Sequence, residues 1–226
     1  MEDLDDNCYL TEEKKIIPFK PEEKIKEFSV QYYHYRRYFP RMDGLDWRKL
    51  KLTNIGEYSI IQKKSADEVL NEIDRRFGET TDITVTDATG GMGGLAIYLA
   101  PHLKKIKLVE VVSQHARIIQ GNMKVYNITN YQVYRRDYLE IMNRLTQDVV
   151  FFDPPWGGRG YSKNKQLSLG LNNVNIACIC NHLIENGRVK MIIIFAPKNF
   201  DLERFDTLVH FQYQVKNLGK HKLVVI

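Results

Sequence analysis

Residues 149–161 read VVFFDPPWGGRGY. Four consecutive apolar residues stopped by Pro are the pattern of a strand covered on both faces, because Pro lacks the amide a ladder needs and its fixed φ turns the chain away. Asp153 therefore stands at the carboxyl end of a buried strand. It is followed by a rigid Pro154-Pro155 corner, the flat indole of Trp156 and two glycines. In open parallel sheets ligands bind at that edge, so this loop is the first candidate for chemistry.

Outward from this strand the chain alternates. Strand-like runs occur at ITVTDA, IKLVEV, YQVY and VKMIIIFA, separated by helical segments. SQHARIIQGNMKVY, for example, repeats Ala116, Ile119, Met123 and Tyr126 at steps of three and four. Such alternation predicts an α/β domain with a mostly parallel sheet. SADEVLNEIDRRF opens this region with Ser65 and Glu68 at capping-box spacing and with Val69, Leu70 and Ile73 on one stripe, which predicts a helix beginning at Ser65. At the other end FQYQVKNLG and HKLVVI meet around Gly219 with no room for a helix, predicting a closing antiparallel hairpin and bringing the sheet to seven strands. The candidate boundary lies near residues 60–65, giving an N-terminal extension over 1–60 and the main domain over 61–226.

At 226 residues and 43% hydrophobic content, one sizeable core is expected. No apolar run reaches the roughly 20 residues of a membrane span, and MEDLDD lacks the basic and apolar regions of a signal peptide, so a soluble, intracellular protein without a membrane partner is expected. Cys8, Cys178 and Cys180 are odd in number and form no zinc-knuckle spacing. Three free, buried thiols are expected, with neither a disulfide nor a metal site. The net charge is +5, with QYYHYRRYFPR and DWRKLK interleaving cations and aromatics after an acidic head. That mixture suits phosphates and base faces, and equally a solvated helix with an aromatic inner side.

The first strand leads into DATGGMGGLAIYLA, where glycines at 90, 91, 93 and 94 allow a tight turn and a helix start close to a ligand. Alone, such a turn serves nicotinamide, flavin, nucleotide or sulfonium cofactors, or only packs. The next strand ends in Glu110, where an acid takes a ribose diol, and the third in Asp137, which can accept from an adenine amine. Asp153 distinguishes among the cofactors. Hydride transfer has no use for Asp-Pro-Pro-Trp, whereas methylation of an exocyclic amine needs acceptors that hold the NH2 and aim its nitrogen. Asp153 and the Pro154 carbonyl supply those acceptors, and Trp156 a plane on which the base stacks.

These motifs resemble those of the trimethylguanosine synthase family, the RNA cap guanine-N2 methyltransferases. DATGGMGG at 87–94 is similar to the family's DAFCGVGG-like turn, DPPWGGRGY at 153–161 to its SPPWGGPDY-like loop, and FAPKN at 195–199 to its FLPRN. YRRYFPRMDGLDWRKLKLTNIGEYSI at 35–60 is similar to the segment that precedes the family's catalytic domain. The resemblance implies a Rossmann-like class I S-adenosylmethionine-dependent methyltransferase fold with a small N-terminal helical extension that contributes to the substrate and cofactor pockets. It implies that Asp87, Thr89, Gly91, Gly93, Glu110, Asp137 and Asp153 hold S-adenosylmethionine. Asp153, Pro154 and Trp156 would be catalytic, Trp156 stacking on 7-methylguanine, with Lys51, Tyr161, Lys198 and Asn199 binding the capped RNA and a monomer as the acting form. The chain departs from the pattern at Asp153, where the family has Ser, at Glu57, where it has Trp, at Lys198, where it has Arg, and by extra residues near 44–50. Asp153 is the residue that adenine-N6 and cytosine-N4 methyltransferases use, which leaves an internal-base amino-methyltransferase as one alternative and an inactive cofactor- or RNA-binding protein as another.

Overall fold

A computed structural model describes residues 8–10, 25–78 and 82–226. In chain order the elements are β1 (Glu27–Ser29), α1 (Tyr32–Tyr38), β2 (Lys51–Thr53), α2 (Gly56–Ser59), α3 (Lys63–Phe77), β3 (Thr84–Asp87), α4 (Gly94–Leu99), β4 (Lys105–Val109), α5 (Ser113–Val125) and β5 (Tyr131–Tyr134). They continue with α6 (Tyr138–Ile141), β6 (Val149–Phe152), β7 (Gly170–Leu171), β8 (Val174–Asn175), α7 (Ile176–Glu185), β9 (Met191–Pro197), α8 (Leu202–Leu208), β10 (Gln214–Asn217) and β11 (His221–Val225). Seven strands form one sheet in the order β10-β11-β9-β6-β3-β4-β5, parallel through β6, β3, β4 and β5 and antiparallel through β9, β11 and β10. The chain divides into two compact units, Ile25–Phe151 and Phe152–Ile226 with Met1–Lys24.

In the unit 25–151, β3 pairs with β4 and with the start of β6, so Asp87 lies opposite Leu108 on one side and Phe151 on the other. The strands read as continuous apolar runs because both faces are covered; Val85, Ile106, Leu108, Val149 and Val150 are all buried. α3 contributes Val69 and Ile73, each worth about 1.5–3 kcal/mol of burial. The helix starts two residues before the expected Ser65. Gln62 occupies the N-cap, and Ser65 lies within the first turn, buried, its N–H donating to the Gln62 carbonyl. The capping-box spacing was local, and the tertiary burial of Ser65 overrode it. The extension carries helices and also the short antiparallel ladder β1–β2.

In the other unit β11 lies between β9 and β10, and Gly219, at φ +77°, makes the hairpin turn. One expectation fails here. Cys8 and Cys178 form a disulfide with Cα atoms 5.8 Å apart, while Cys180 remains a free buried thiol whose pKa burial raises. The partners are 170 residues apart, and a pairing set by tertiary proximity leaves no spacing signature. Leu10, two residues from Cys8, donates its N–H to the Asn173 carbonyl.

Candidate active site

Asp87 ends β3, and its Oδ1 accepts from the Thr89 N–H at 3.1 Å. The turn then closes through Gly90 N–H to the Val109 carbonyl and Gly93 N–H to the Gly90 carbonyl. Gly93 caps α4 at φ +78°, a left-handed conformation that a side chain disfavours. At Gly94 the demand is for space, since a Cβ there would come within 2.5 Å of Ile60 Cγ1. Glu110 directly follows β4 and ties itself to the turn. Its Oε2 accepts from Gly91 N–H at 2.8 Å and its Oε1 from Val112 N–H at 2.7 Å. Asp87, Thr89, Gly91, Gly93 and Glu110 are thus one cluster.

Burial dominates its electrostatics. Asp87 and Glu110 are nearly fully buried, and desolvation pushes both carboxyls up to about 7, against the lowering effect of the amides they accept from. His115, with Nδ1 3.9 Å from Glu110 Oε1, is driven down to about 4 by burial and is therefore neutral near pH 7. Two buried acids with lone pairs to spare beside a glycine turn suit a ligand that brings hydroxyl and ammonium donors, as the ribose and amino group of S-adenosylmethionine do. Asp137 lies three residues beyond β5 and caps α6, its Oδ1 accepting from Leu139 N–H at 2.9 Å.

The turn is also held from the N-terminal side by a residue that motif reading passed over. Asn122, fully buried on α5, accepts from Lys51 N–H at 2.9 Å through Oδ1. Its Nδ2 donates to the Lys51 carbonyl at 3.0 Å and the Met92 carbonyl at 3.2 Å. β2 is thereby stapled to the middle of the glycine turn. Lys51 itself donates from Nζ to Ser29 Oγ at 2.9 Å. The only sequence signal was a polar residue on the apolar side of an amphipathic helix.

In the other unit, the loop after β6 carries Asp153, Pro154 and Trp156, with Asp153 and Trp156 half-buried and Pro154 buried. Trp156 packs edge-on against Tyr161 at 5.1 Å between ring centroids, and lies 5.7 Å from Phe195 and 5.5 Å from His221. The antiparallel register sets His221 opposite Pro197 and Leu223 opposite Phe195, so Phe195 and His221 become diagonal neighbours with rings 4.8 Å apart. Burial, and then Lys220, lower the His221 pKa. The indole Nε1 is buried with no hydrogen-bond partner among the described residues. Asn199 uses its amide structurally, donating from Nδ2 to the Tyr161 and Asn164 carbonyls at 3.1 and 2.7 Å, which fixes the 161–164 turn beside the end of β9. Lys198 is exposed, and its N–H donates to the Lys220 carbonyl. Sequence reading named Trp156, Tyr161, Lys198 and Asn199 but missed Phe195 and His221, whose roles depend on strand register.

Among the described residues no helix is long and apolar enough to cross a membrane, and no group of three or more His, Cys, Asp or Glu is placed to hold a metal ion.

The profile of the family described as RNA cap guanine-N2 methyltransferase matches residues 83–222. An uncharacterised protein of Acanthamoeba polyphaga mimivirus is 29% identical over 64% of this chain and 58% of its own length. The trimethylguanosine synthase of Schizosaccharomyces pombe is 28% identical over 53% of this chain and 52% of its own. An uncharacterised RNA methyltransferase of Clostridium tetani is 26% identical over 49% of this chain and 24% of its own. The chain thus spans under two thirds of the length of these relatives. Among solved structures, the T. thermophilus 16S rRNA N2 methyltransferase RsmC, in complex with AdoMet and guanosine, superposes with a TM-score of 0.55 at 14% identity, covering 71% of this chain and 42% of that one. The fold is that of class I methyltransferases, with S-adenosylmethionine as cofactor. Because the profile covers more than half of the chain and takes in both the glycine turn and the Asp-Pro-Pro-Trp loop, the chain belongs to the RNA cap guanine-N2 methyltransferase family.

Proposed function

We propose that the protein methylates the exocyclic N2 amine of 7-methylguanosine in RNA 5′ caps, giving di- or trimethylguanosine caps. The observation that carries this reading is Trp156, set among Tyr161, Phe195 and His221 and three residues after Asp153. A 7-methylguanine ring is cationic, and an indole face attracts a cation by about 0.5–2 kcal/mol.

In this reading the Asp153 carboxylate and the Pro154 carbonyl accept the two amine hydrogens and aim the nitrogen lone pair. The proton that nitrogen gives up on methylation stays at Asp153 before it reaches solvent. Lys51, Tyr161 and Lys198 bind the cap phosphates, and Asn199 fixes the turn that carries Tyr161. Asp87, Thr89, Gly91, Gly93, Glu110 and Asp137 hold the cofactor, which when bound supplies a methyl group activated by a positively charged sulfur. The N-terminal extension, residues 1–60, contributes to the pockets through β2 and Lys51, a role supported by the Asn122 bonds to Lys51 and Met92.

Asp153 in place of Ser favours a second reading, methylation of an exocyclic amine on an internal base. Incubation with labelled S-adenosylmethionine and 7-methylguanosine cap dinucleotide, guanosine cap dinucleotide or uncapped RNA, with mass analysis of the nucleosides, separates the two. The cap reading expects N2-methylated product from the 7-methylguanosine cap and at least several-fold lower kcat/KM on the guanosine cap. Equal efficiency on both caps refutes the role of Trp156, and methylation of uncapped RNA alone establishes the second reading.

A further inference from the structure

We propose that the outer face of α1 and the turn that follows it form a stacking platform for single-stranded RNA, engaging the body of the substrate beyond the base that is methylated. This rests on the reading of an RNA substrate and extends it to the outer face of the N-terminal extension. The inner face of α1 buries His34, Tyr35 and Tyr38, three of its five aromatic rings. The outer face presents Tyr32 and Tyr33, which are 56% and 58% exposed, among the largest apolar exposures of the described residues.

These rings are organised. Trp47 stacks on the buried Tyr35 at 6.1 Å and 14° between planes, which anchors it, and lies 5.8 Å from exposed Tyr32. Guanidinium groups cover the rings: Arg36 lies 5.7 Å from the Tyr32 centroid and Arg48 5.5 Å from that of Trp47. A stacked guanidinium keeps its N–H edges available for phosphate, while the exposed ring beside it offers a face to a base. Residues 32–51 carry six Lys and Arg against two Asp. Asp46 sits 3.9 Å from both Arg48 and Lys49, whereas no carboxylate among the described residues pairs with Arg36 or Arg37.

Alternating aromatic faces and guanidinium groups match an unpaired nucleic-acid strand, whose bases stack in turn on exposed rings while its phosphates run along the cations. A duplex offers no free base faces and an acidic protein few planar ones. The charge excess and the ring spacing therefore select one occupant, the single-stranded segment downstream of a cap.

The test measures binding of an unstructured, uncapped 12-nucleotide RNA and of a 12-base-pair RNA duplex by fluorescence anisotropy, for the parent protein, the Tyr32→Ala/Arg36→Ala double variant and Arg48→Ala. Thermal melting serves as the folding control, since all three side chains lie at the surface. The expected result is preference for the single strand, an affinity loss of about fivefold or more in the double variant, and a salt slope flatter by about 0.7 for each Arg removed. In a Trp156→Phe background, where Trp47 is the sole tryptophan, the RNA quenches its fluorescence. KM for a capped 12-mer rises in the double variant while KM for the free cap dinucleotide does not. Unchanged RNA binding in folded variants, equal affinity for the duplex, or an equal KM rise on both substrates overturns the platform. Failure to methylate any cap would count against the proposed function, and the uncapped-RNA measurements decide the platform independently.

Discussion

Replacing Asn122 with Ala tests whether the N-terminal segment is part of the glycine turn or merely lies against it. The side chain is fully buried and makes three hydrogen bonds, so its removal leaves the Lys51 N–H, the Lys51 carbonyl and the Met92 carbonyl without this partner. A net loss of about 1 kcal/mol per bond, with a further penalty for each buried group left unpaired, amounts to roughly 3–5 kcal/mol. That is a fifth or more of the roughly 5–15 kcal/mol that ordinarily separates folded from unfolded chains, so the variant folds with a reduced margin. With a urea dependence of about 2 kcal/mol per molar, the unfolding midpoint drops by about 2 M. Ile119→Val, at a fully buried position on the same helix, costs only about 1 kcal/mol and serves as the control for a packing loss without polar loss. Because Met92 lies between Gly91 and Gly93, the Asn122→Ala variant also binds S-adenosylmethionine at least tenfold more weakly by calorimetry, whereas Ile119→Val does not. A midpoint shift under 0.5 M (about 1 kcal/mol) together with unchanged cofactor affinity would refute the staple.

Asp87 and Glu110, both raised to about 7 by burial, bind protons more tightly folded than unfolded, so they make the ligand-free protein lose stability as pH rises from about 4 to about 7. A ligand that donates to the carboxylates favours their ionised form. S-adenosylmethionine affinity therefore rises about tenfold or more between pH 6 and pH 8, with proton release measurable by calorimetry in buffers of different ionisation heat, and a flat profile would sink this account. Asp153→Ala lowers single-turnover methylation far more than cofactor binding, while Asp153→Ser retains substantial activity because a hydroxyl still accepts; an Ala variant with full turnover removes Asp153 from the chemistry. His221→Ala takes one ring from beside Trp156 and raises KM for the cap about two- to tenfold with kcat little changed, and an unaltered KM would show that Trp156 stands without it.

The local pattern determined a good part of this protein. Val149–Phe152 is a strand over the very residues read from the apolar run, because the apolar stretch and the Pro that ends it are both short-range constraints. The turn at 90–94 and the hairpin at Gly219 were legible for the same reason, since left-handed backbone calls for glycine wherever the rest of the chain goes. Glu110 and Asp137 could be placed near strand ends by counting along the chain. What they bond to could not: Glu110 reaches back 19 residues to Gly91, and Asp137 closes on its own helix. The Asn122 staple spans 71 residues, the Cys8–Cys178 bridge 170, and the meeting of His221 with Trp156 depends on the register of β11 against β9. A helical or strand period reports which face a residue takes, and only the folding of distant segments onto one another decides which partner it meets there.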